Sequence, residues 1–309
     1  MPTYGAVTAR VIADYGADYL VEAGTPARRA VARRCDPAVG DWVVVDGNFI
    51  TEVLPRRTVF SRRAAGTETT QQVLAANVDV AFVVVAATDV NVRRLERYLT
   101  IAWQSGAVPV VVLTKADLTE SVEVPRLAAP VIVTSSVTRE GVEAVQRELE
   151  PSKTGVLLGP SGVGKSSLVN TIVGEDVMRT RDIHRSGEGR HMTSHRQLIH
   201  LPGGGMIIDT PGLREAQLWE GEDALGGVFE DIEELALRCR FNDCSHVTEP
   251  GCAIKAALAD GSLDRGRLDS YRKLLRELRA VAAKSDARIR IEDRRKWRQL
   301  AMAARRARL

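Results

Sequence analysis

The chain has 309 residues, 44% hydrophobic and 27% charged; that balance excludes disordered, fibrous and collagen-like classes and predicts two or three folded domains. The formal net charge of +3 hides a split, because residues 264–309 carry 16 Lys/Arg against 6 Asp/Glu, leaving 27 basic and 34 acidic residues before them. A basic tail on an acidic body points to a polyanionic partner reached through one end, with a merely solvated arm as the alternative.

The amino terminus shows no basic segment followed by an apolar stretch, so no signal peptide is expected. Residues 6–13, 18–22, 30–35, 41–45 and 49–54 read as short strands between turn signals, which predicts a small closed barrel. The Arg-, Ser- and Thr-rich stretch 55–72 reads as a linker. Strands at 78–86, 108–113, 130–133 and 155–158 then alternate with helices at 92–104 and 141–150, the pattern of an α/β domain with a mostly parallel sheet. Two further strands, 197–201 and 206–209, close that region. Beyond about residue 215 the reading is a Cys/His cluster followed by helical stretches at 266–284 and 291–308. The longest apolar runs, 81–87 and 107–113, fall short of the roughly 18–20 residues a membrane span needs.

Residues Gly159-Pro160-Ser161-Gly162-Val163-Gly164-Lys165-Ser166 match G-x-x-x-x-G-K-[ST] between a predicted strand and a helix opening at Ser167. Backbone N–H groups of such a loop curl around phosphates, and the helix start adds positive potential. Lys165 is expected on the β- and γ-phosphates and the Ser166 hydroxyl on Mg²⁺. Asp209-Thr-Pro-Gly212 ends a strand about 45 residues later, where Asp209 can hold Mg²⁺ through water and the Gly212 amide can meet the γ-phosphate. Between them lies Thr193, the candidate threonine that completes the Mg²⁺ shell, with Ser194 as the alternative.

Thr114-Lys115-Ala-Asp117 follows the strand 108–113. A carboxylate at Asp117 can accept from both N1–H and N2–H₂ of guanine, and adenine would leave that charge unpaired. Lys115 can lay its stem over the ring, and Thr134-Ser135-Ser136 can brace the base. These base-reading segments precede the phosphate-binding ones, the reverse of an ordinary GTPase, so the chain reads as circularly permuted, with Gly212 leading into the C-terminal domain. Cys239, Cys244, His246 and Cys252 supply three thiolates and an imidazole, enough for a closed tetrahedral structural zinc site. Cys clustered in this way suits a reduced, cytoplasmic protein, with Cys35 as a barrel-core residue.

Taken together, the small barrel, the order T-K-A-D, T-S-S, G-P-S-G-V-G-K-S, G-R-H-M-T-S, D-T-P-G and the C-x₄-C-x-H-x₅-C module resemble the RsgA/YjeQ family of circularly permuted small ribosomal subunit biogenesis GTPases. The resemblance implies an OB-fold barrel over 1–65, a permuted GTPase domain over 66–215 and a zinc-binding domain with a basic helical arm over 216–309. It also implies GTP/GDP, Mg²⁺ and one structural Zn²⁺ as cofactors, and the small ribosomal subunit and its rRNA as partners of a cytoplasmic monomer without membrane contact. Three departures stand out: Thr114 replaces the usual Asn, Met192 and Ser194 flank Thr193, and the barrel is short. Leu213, after D-T-P-G, cannot orient water as a Gln would, so slow hydrolysis by the isolated protein is expected, with His191 a candidate polar group recruited on the subunit. An RNA-binding scaffold with a regulatory, non-hydrolysing guanine-nucleotide site is the alternative from another class, and a P-loop kinase or ATPase is a third.

Overall fold

The structure is a computed structural model that describes residues 6–24, 26–63, 71–125, 127–178, 196–209 and 223–285. It forms two compact units, Met1–Gln217 and Leu218–Leu309.

In the first unit, β1 (Val7–Asp14), β2 (Tyr19–Glu22), β3 (Arg28–Ala32), β4 (Trp42–Asp46) and β5 (Phe49–Val53) are the five expected barrel strands. β1 pairs antiparallel with both β2 and β4, and β3 runs parallel to β5, so the order 1-2-3-5-4 closes back on β1. Alternation drives the closure: Ala9, Val11, Val21, Ala30, Val43, Val45 and Ile50 turn inward onto one buried cluster. β3 ends earlier than expected because Arg34 takes a left-handed backbone (φ 59°). Cys35 therefore lies beyond the strand, packed against the barrel core with its thiol 3.5 Å from Ile50 O.

The stretch read as a linker is instead a hairpin, β6 (Val59–Arg63) paired antiparallel with β7 (Gln71–Ala76). Its base is tied in by Thr58, whose hydroxyl donates to Val78 O at 2.8 Å and accepts from Val78 N. Gly40 marks where the barrel meets this hairpin: its φ is 93°, and a Cβ there would lie 2.1 Å from Ala76 O. Nearby, Asp41 is fully buried and receives Arg56 bidentately at 2.8 and 2.7 Å.

The parallel sheet follows as β8 (Val80–Ala86), α1 (Val92–Ser105), β9 (Val108–Thr114), β10 (Val131–Val133), α2 (Val142–Glu148), β11 (Thr154–Leu158), α3 (Lys165–Val173), β12 (Arg196–His200) and β13 (Met206–Asp209). Every residue of β8 and β11 is buried, which explains their unbroken apolar reading. The spatial order is β10-β9-β8-β11-β13-β12, with β12 alone antiparallel. Chain order thus puts the base-reading strand β9 first, while space puts it two places from the phosphate-loop strand β11. β12 also pairs with β1, so barrel and parallel sheet form one 11-stranded surface. The junction carries the ion pairs Arg196–Asp14 at 3.3 Å and His200–Glu22 at 3.1 Å.

The second unit contains α4 (Asp223–Gly226), α5 (Glu230–Leu237), α6 (Ala253–Ala259) and α7 (Arg265–Ser285). Only α7 was expected as a helix; the predicted helix at 291–308 lies outside the described residues. Leu225, Val228, Phe229, Ile232, Ile254, Leu268 and Leu278 are among its buried side chains, and Phe229 meets Tyr271 edge to face at 5.4 Å. Among the described residues no helix is long and apolar enough to cross a membrane.

Candidate nucleotide site and metal centre

The phosphate loop leaves β11 at Gly159 and enters α3 at Lys165. Gly159 has φ 139°, and a Cβ there would lie 2.1 Å from Val84 O at the end of β8, so only glycine lets the chain turn this close to the neighbouring strand. By contrast, nothing lies within 4 Å of a Cβ at Gly162. Pro160, Ser161 and Val163 complete the curve, and Lys165 Nζ donates to Gly159 O at 2.8 Å and Pro160 O at 2.5 Å. The ammonium therefore sits over the loop itself. Ser166 and Ser167 occupy the first turn of α3, and Ser167 O receives the Thr171 hydroxyl at 2.8 Å.

Two strands away, the T-K-A-D segment leans on this loop. The Thr114 hydroxyl faces Val85 O at 3.1 Å and makes a closer contact with Val163 O. Lys115 takes a left-handed backbone (φ 58°), and its Nζ donates to Gly162 O at 2.7 Å. Asp117 opens out on a short 3₁₀ turn, Ala116–Leu118, where Ala116 N donates to Thr134 O at 3.2 Å. The Ser135 hydroxyl donates to Asp117 Oδ1 at 2.5 Å and accepts from Val137 N and Thr138 N. Ser135 thereby fixes the carboxylate's rotamer. Thr134 is fully buried, and among the described residues its hydroxyl has no hydrogen-bond partner. Ser136 O lies 3.5 Å from the Thr171 hydroxyl of α3.

Asp209 ends β13 in register with Gln197 of β12, and β13 lies beside β11, so Asp209 stands next to the loop strand. Thr193, His191 and Gly212, together with Leu213, lie outside the described residues.

In the second unit Cys239, Cys244, His246 and Cys252 converge, with one ligand atom of each within 4.8 Å of all the others. His246 Nδ1 is 3.5 Å from both Cys239 Sγ and Cys252 Sγ. Burial disfavours the Cys239 thiolate, yet amides of Ala253 and Ile254 at the start of α6 and the thiols of Cys252 and Cys244 hold it below its ordinary value. The Cys244 thiol is pushed up to about 11 by burial and by its two sulfur neighbours. Burial, then the Arg272 charge, lowers His246 and favours neutral imidazole. Such charge crowding, with a neutral ring nitrogen, fits a divalent soft cation.

Sequence reasoning missed the groups that hold this cluster. His246 has φ 59°, and its carbonyl accepts from Arg272 of α7 at 3.0 Å. Glu249 accepts from Ser245 N, Val247 N and Thr248 N at 3.0, 3.1 and 3.0 Å, and from the Ser245 hydroxyl. The Ser245 hydroxyl bond and these amides pull Glu249 down to about 2. A carboxylate three residues past a ligand histidine was the available signal.

The family model described as RsgA GTPase matches residues 53–219. The chain is 49% identical over 278 residues to the small ribosomal subunit biogenesis GTPase RsgA of Streptomyces avermitilis, covering 84% of this chain and 74% of that protein. It is 42% identical over 295 residues to small ribosomal subunit biogenesis GTPase RsgA 1 of Oceanobacillus iheyensis, covering 90% and 84%. Among solved structures, YjeQ from Thermotoga maritima superposes with a TM-score of 0.64 at 24% identity, covering 88% of this chain and 98% of that one, a likeness of fold alone. YloQ, described as a circularly permuted GTPase, gives 0.63 at 25% identity over 90% and 96%.

Proposed function

The chain belongs to the RsgA GTPase family and is a GTP hydrolase; from that premise we propose that it acts on the small ribosomal subunit, assisting late assembly with turnover stimulated by the subunit. The observation that carries the nucleotide assignment is the contact between two motifs distant in sequence: Thr114 and Lys115, beside the base-reading Asp117, bond the phosphate loop at Val163 and Gly162. A loop for phosphates and a carboxylate for a base are thus one site. The small subunit comes from the function that the curated relatives carry in their names.

Each residue then takes a role. Lys165 neutralises the β- and γ-phosphates, with loop amides from Ser161 to Ser167 cradling them. Asp117, oriented by Ser135, accepts from the guanine edge, while the Lys115 stem covers the ring and Ser136 borders it. The hydroxyls of Ser166 and Thr193, and Asp209 through water, would hold Mg²⁺, which would supply charge neutralisation at the phosphates. Gly212 senses the γ-phosphate, and His191 serves the attacking water once the subunit is bound. Zinc, held by Cys239, Cys244, His246 and Cys252, is structural because four ligands close its shell.

The functional division follows as barrel 1–65, GTPase 66–215 and zinc module 216–309, working as a cytoplasmic monomer. The basic arm contacts rRNA phosphates, so subunit affinity falls steeply with salt. Multiple-turnover phosphate release from GTP and ATP, with and without purified small subunits, tests the proposal. GTP turnover that rises on adding subunits is the expected result. Equal use of ATP overturns the base assignment, and indifference to subunits overturns the assembly role.

A further inference from the structure

We propose that Arg196 is a positioning residue for GTP hydrolysis: anchored on the barrel, it steadies the strand that holds Asp209, and so sets how firmly the nucleotide site retains Mg²⁺. The inference rests on reading Asp209 as the carboxylate that meets Mg²⁺ through water.

β12 lies between the GTPase strand β13 and the barrel strand β1. Gln197 is in register with Asp209 on one side and with Ala13 on the other. One strand's width therefore separates the barrel from Asp209. Among the described residues, Gln197↔Asp209 is the last rung of the β12–β13 ladder, and the end of a ladder is where strands fray unless something ties them. Backbone pairing to the barrel supplies little of that tie, because β1 and β12 share two in-register pairs, Ala13↔Gln197 and Asp14↔Arg196.

The side chain of Arg196 supplies the rest. It meets Asp14 Oδ2 at 3.3 Å, while Gly16 N donates to the other carboxylate oxygen at 2.8 Å and fixes its direction. The same guanidinium faces Val73 O of β7 at 3.5 Å, so it ties β12 to the hairpin as well. At 16% and 17% exposed, Arg196 and Asp14 are weakly screened by water and salt. A second pair, His200–Glu22 at 3.1 Å, ties the far end of β12 to the barrel, where His200 is in register with Met206. Both pairs join β12 to the barrel; only the first stands beside Asp209.

Arg196→Met removes the charge and keeps much of the stem. GDP release in Mg²⁺ should quicken roughly tenfold, the low end for an outer partner of a metal-binding group, because Arg196 acts through the strand. Release in EDTA should not change, since Asp209 then has no ion to hold. GTP turnover should need more Mg²⁺ to reach half its maximum, with the rate at saturating Mg²⁺ little changed. Asp14→Asn weakens the same bond from the barrel side and should act in the same direction. The double variant should be no worse than Arg196→Met alone, because both changes remove one interaction. His200→Val, which breaks the far pair, should behave as wild type does.

The experiment measures release of a fluorescent GDP analogue from the full chain and these variants, in Mg²⁺ and in EDTA. Mg²⁺ titration of GTP turnover accompanies it, and thermal unfolding shows which variants are folded; Asp14→Asn decides alone if Arg196→Met is not. Faster release confined to Mg²⁺, non-additivity of the two changes and an inert His200→Val support the assignment. Wild-type release in the Asp14 and Arg196 variants, equal quickening in EDTA, additive effects, or a His200→Val defect as large overturns it. A wild-type chain that releases GDP equally with and without Mg²⁺, or an Asp209→Asn variant that matches wild type, strikes the reading of Asp209 and the proposal with it.

Discussion

The nucleotide site and the Cys/His cluster lie in separate compact units that reach order by opposite routes. The first unit places its loop at the end of β11, which like its neighbour β8 is buried at every residue, with Phe82, Val84, Leu168 and Ile207 in one continuous core. The site is thus scaffolded by apolar burial worth about 1.5–3 kcal/mol per large side chain. Apart from the 21-residue α7, the described helices of the second unit have eight residues or fewer, and among the described residues it buries fewer apolar side chains. Its loop 239–252 is held by the four ligands, Glu249 and Arg272. There the Cys/His cluster is much of the fold, and the binding energy of a metal held by it would be folding energy.

The largest effect that separates the units is loss of one ligand. Cys244→Ser forfeits much of a zinc binding energy of about 10–16 kcal/mol, so residues beyond 218 should become protease-sensitive while GDP still binds to the first unit. Elemental analysis should give well under one zinc per chain; a folded, zinc-free second unit would erase the contrast. Next, Lys165→Ala and Ser166→Ala should each cut hydrolysis on the order of 10²–10³-fold without changing zinc content or circular dichroism. An active Lys165→Ala would remove the phosphate assignment.

How much of this was legible in the sequence follows from how local each signal is. The phosphate loop, the turn at 114–117 and the Cys/His quartet are short motifs readable from local spacing and their order along the chain, and the buried strands β8, β9 and β11 announce themselves as apolar runs. The hairpin β6–β7 did not, because Arg62 and Arg63 interrupt its alternation and its stability comes from pairing and from Thr58. α5 and α6, eight and seven residues long, are too short to form alone, so only tertiary contact specifies them. The grip of Thr114 on Val163 spans 49 residues, a contact no local pattern encodes.

A smaller effect sharpens the base assignment. Asp117→Asn replaces a two-acceptor carboxylate by an amide, and should lower the preference for GTP over ATP by roughly 10–100-fold, read by competition binding; unchanged preference sinks the role of Asp117. Smallest is an alkaline effect confined to the barrel. Burial, then the nearby Asp14 charge, pushes the Tyr19 phenol up to about 12. A phenol raised above its free value contributes stability that is complete below about pH 10 and fades as pH rises through about 12, here about 1 kcal/mol. Phenolate absorbance should show late ionisation, to which the half-buried Tyr98 phenol, also pushed up by burial, contributes, and Tyr19→Phe should remove the Tyr19 share without touching zinc retention.

The sharing of β12 between β13 and β1 gives the 11-stranded surface, among the described residues, a single open end, since β4 closes back on β1 and the other terminus is the three-residue strand β10. A margin that short offers almost no template to another chain, so the protein gains resistance to edge-to-edge association. Assembly order bears the cost. Asp14 and its partner Arg196 are 182 residues apart, so during synthesis the first strand made must wait for one of the last made in its unit. The barrel itself closes through β1 and β4, but until β12 is made the Ala13–Asp14 end of β1 lacks its pairing there, and that interval is when a growing chain of this architecture is most exposed to pairing with its neighbours on a polysome.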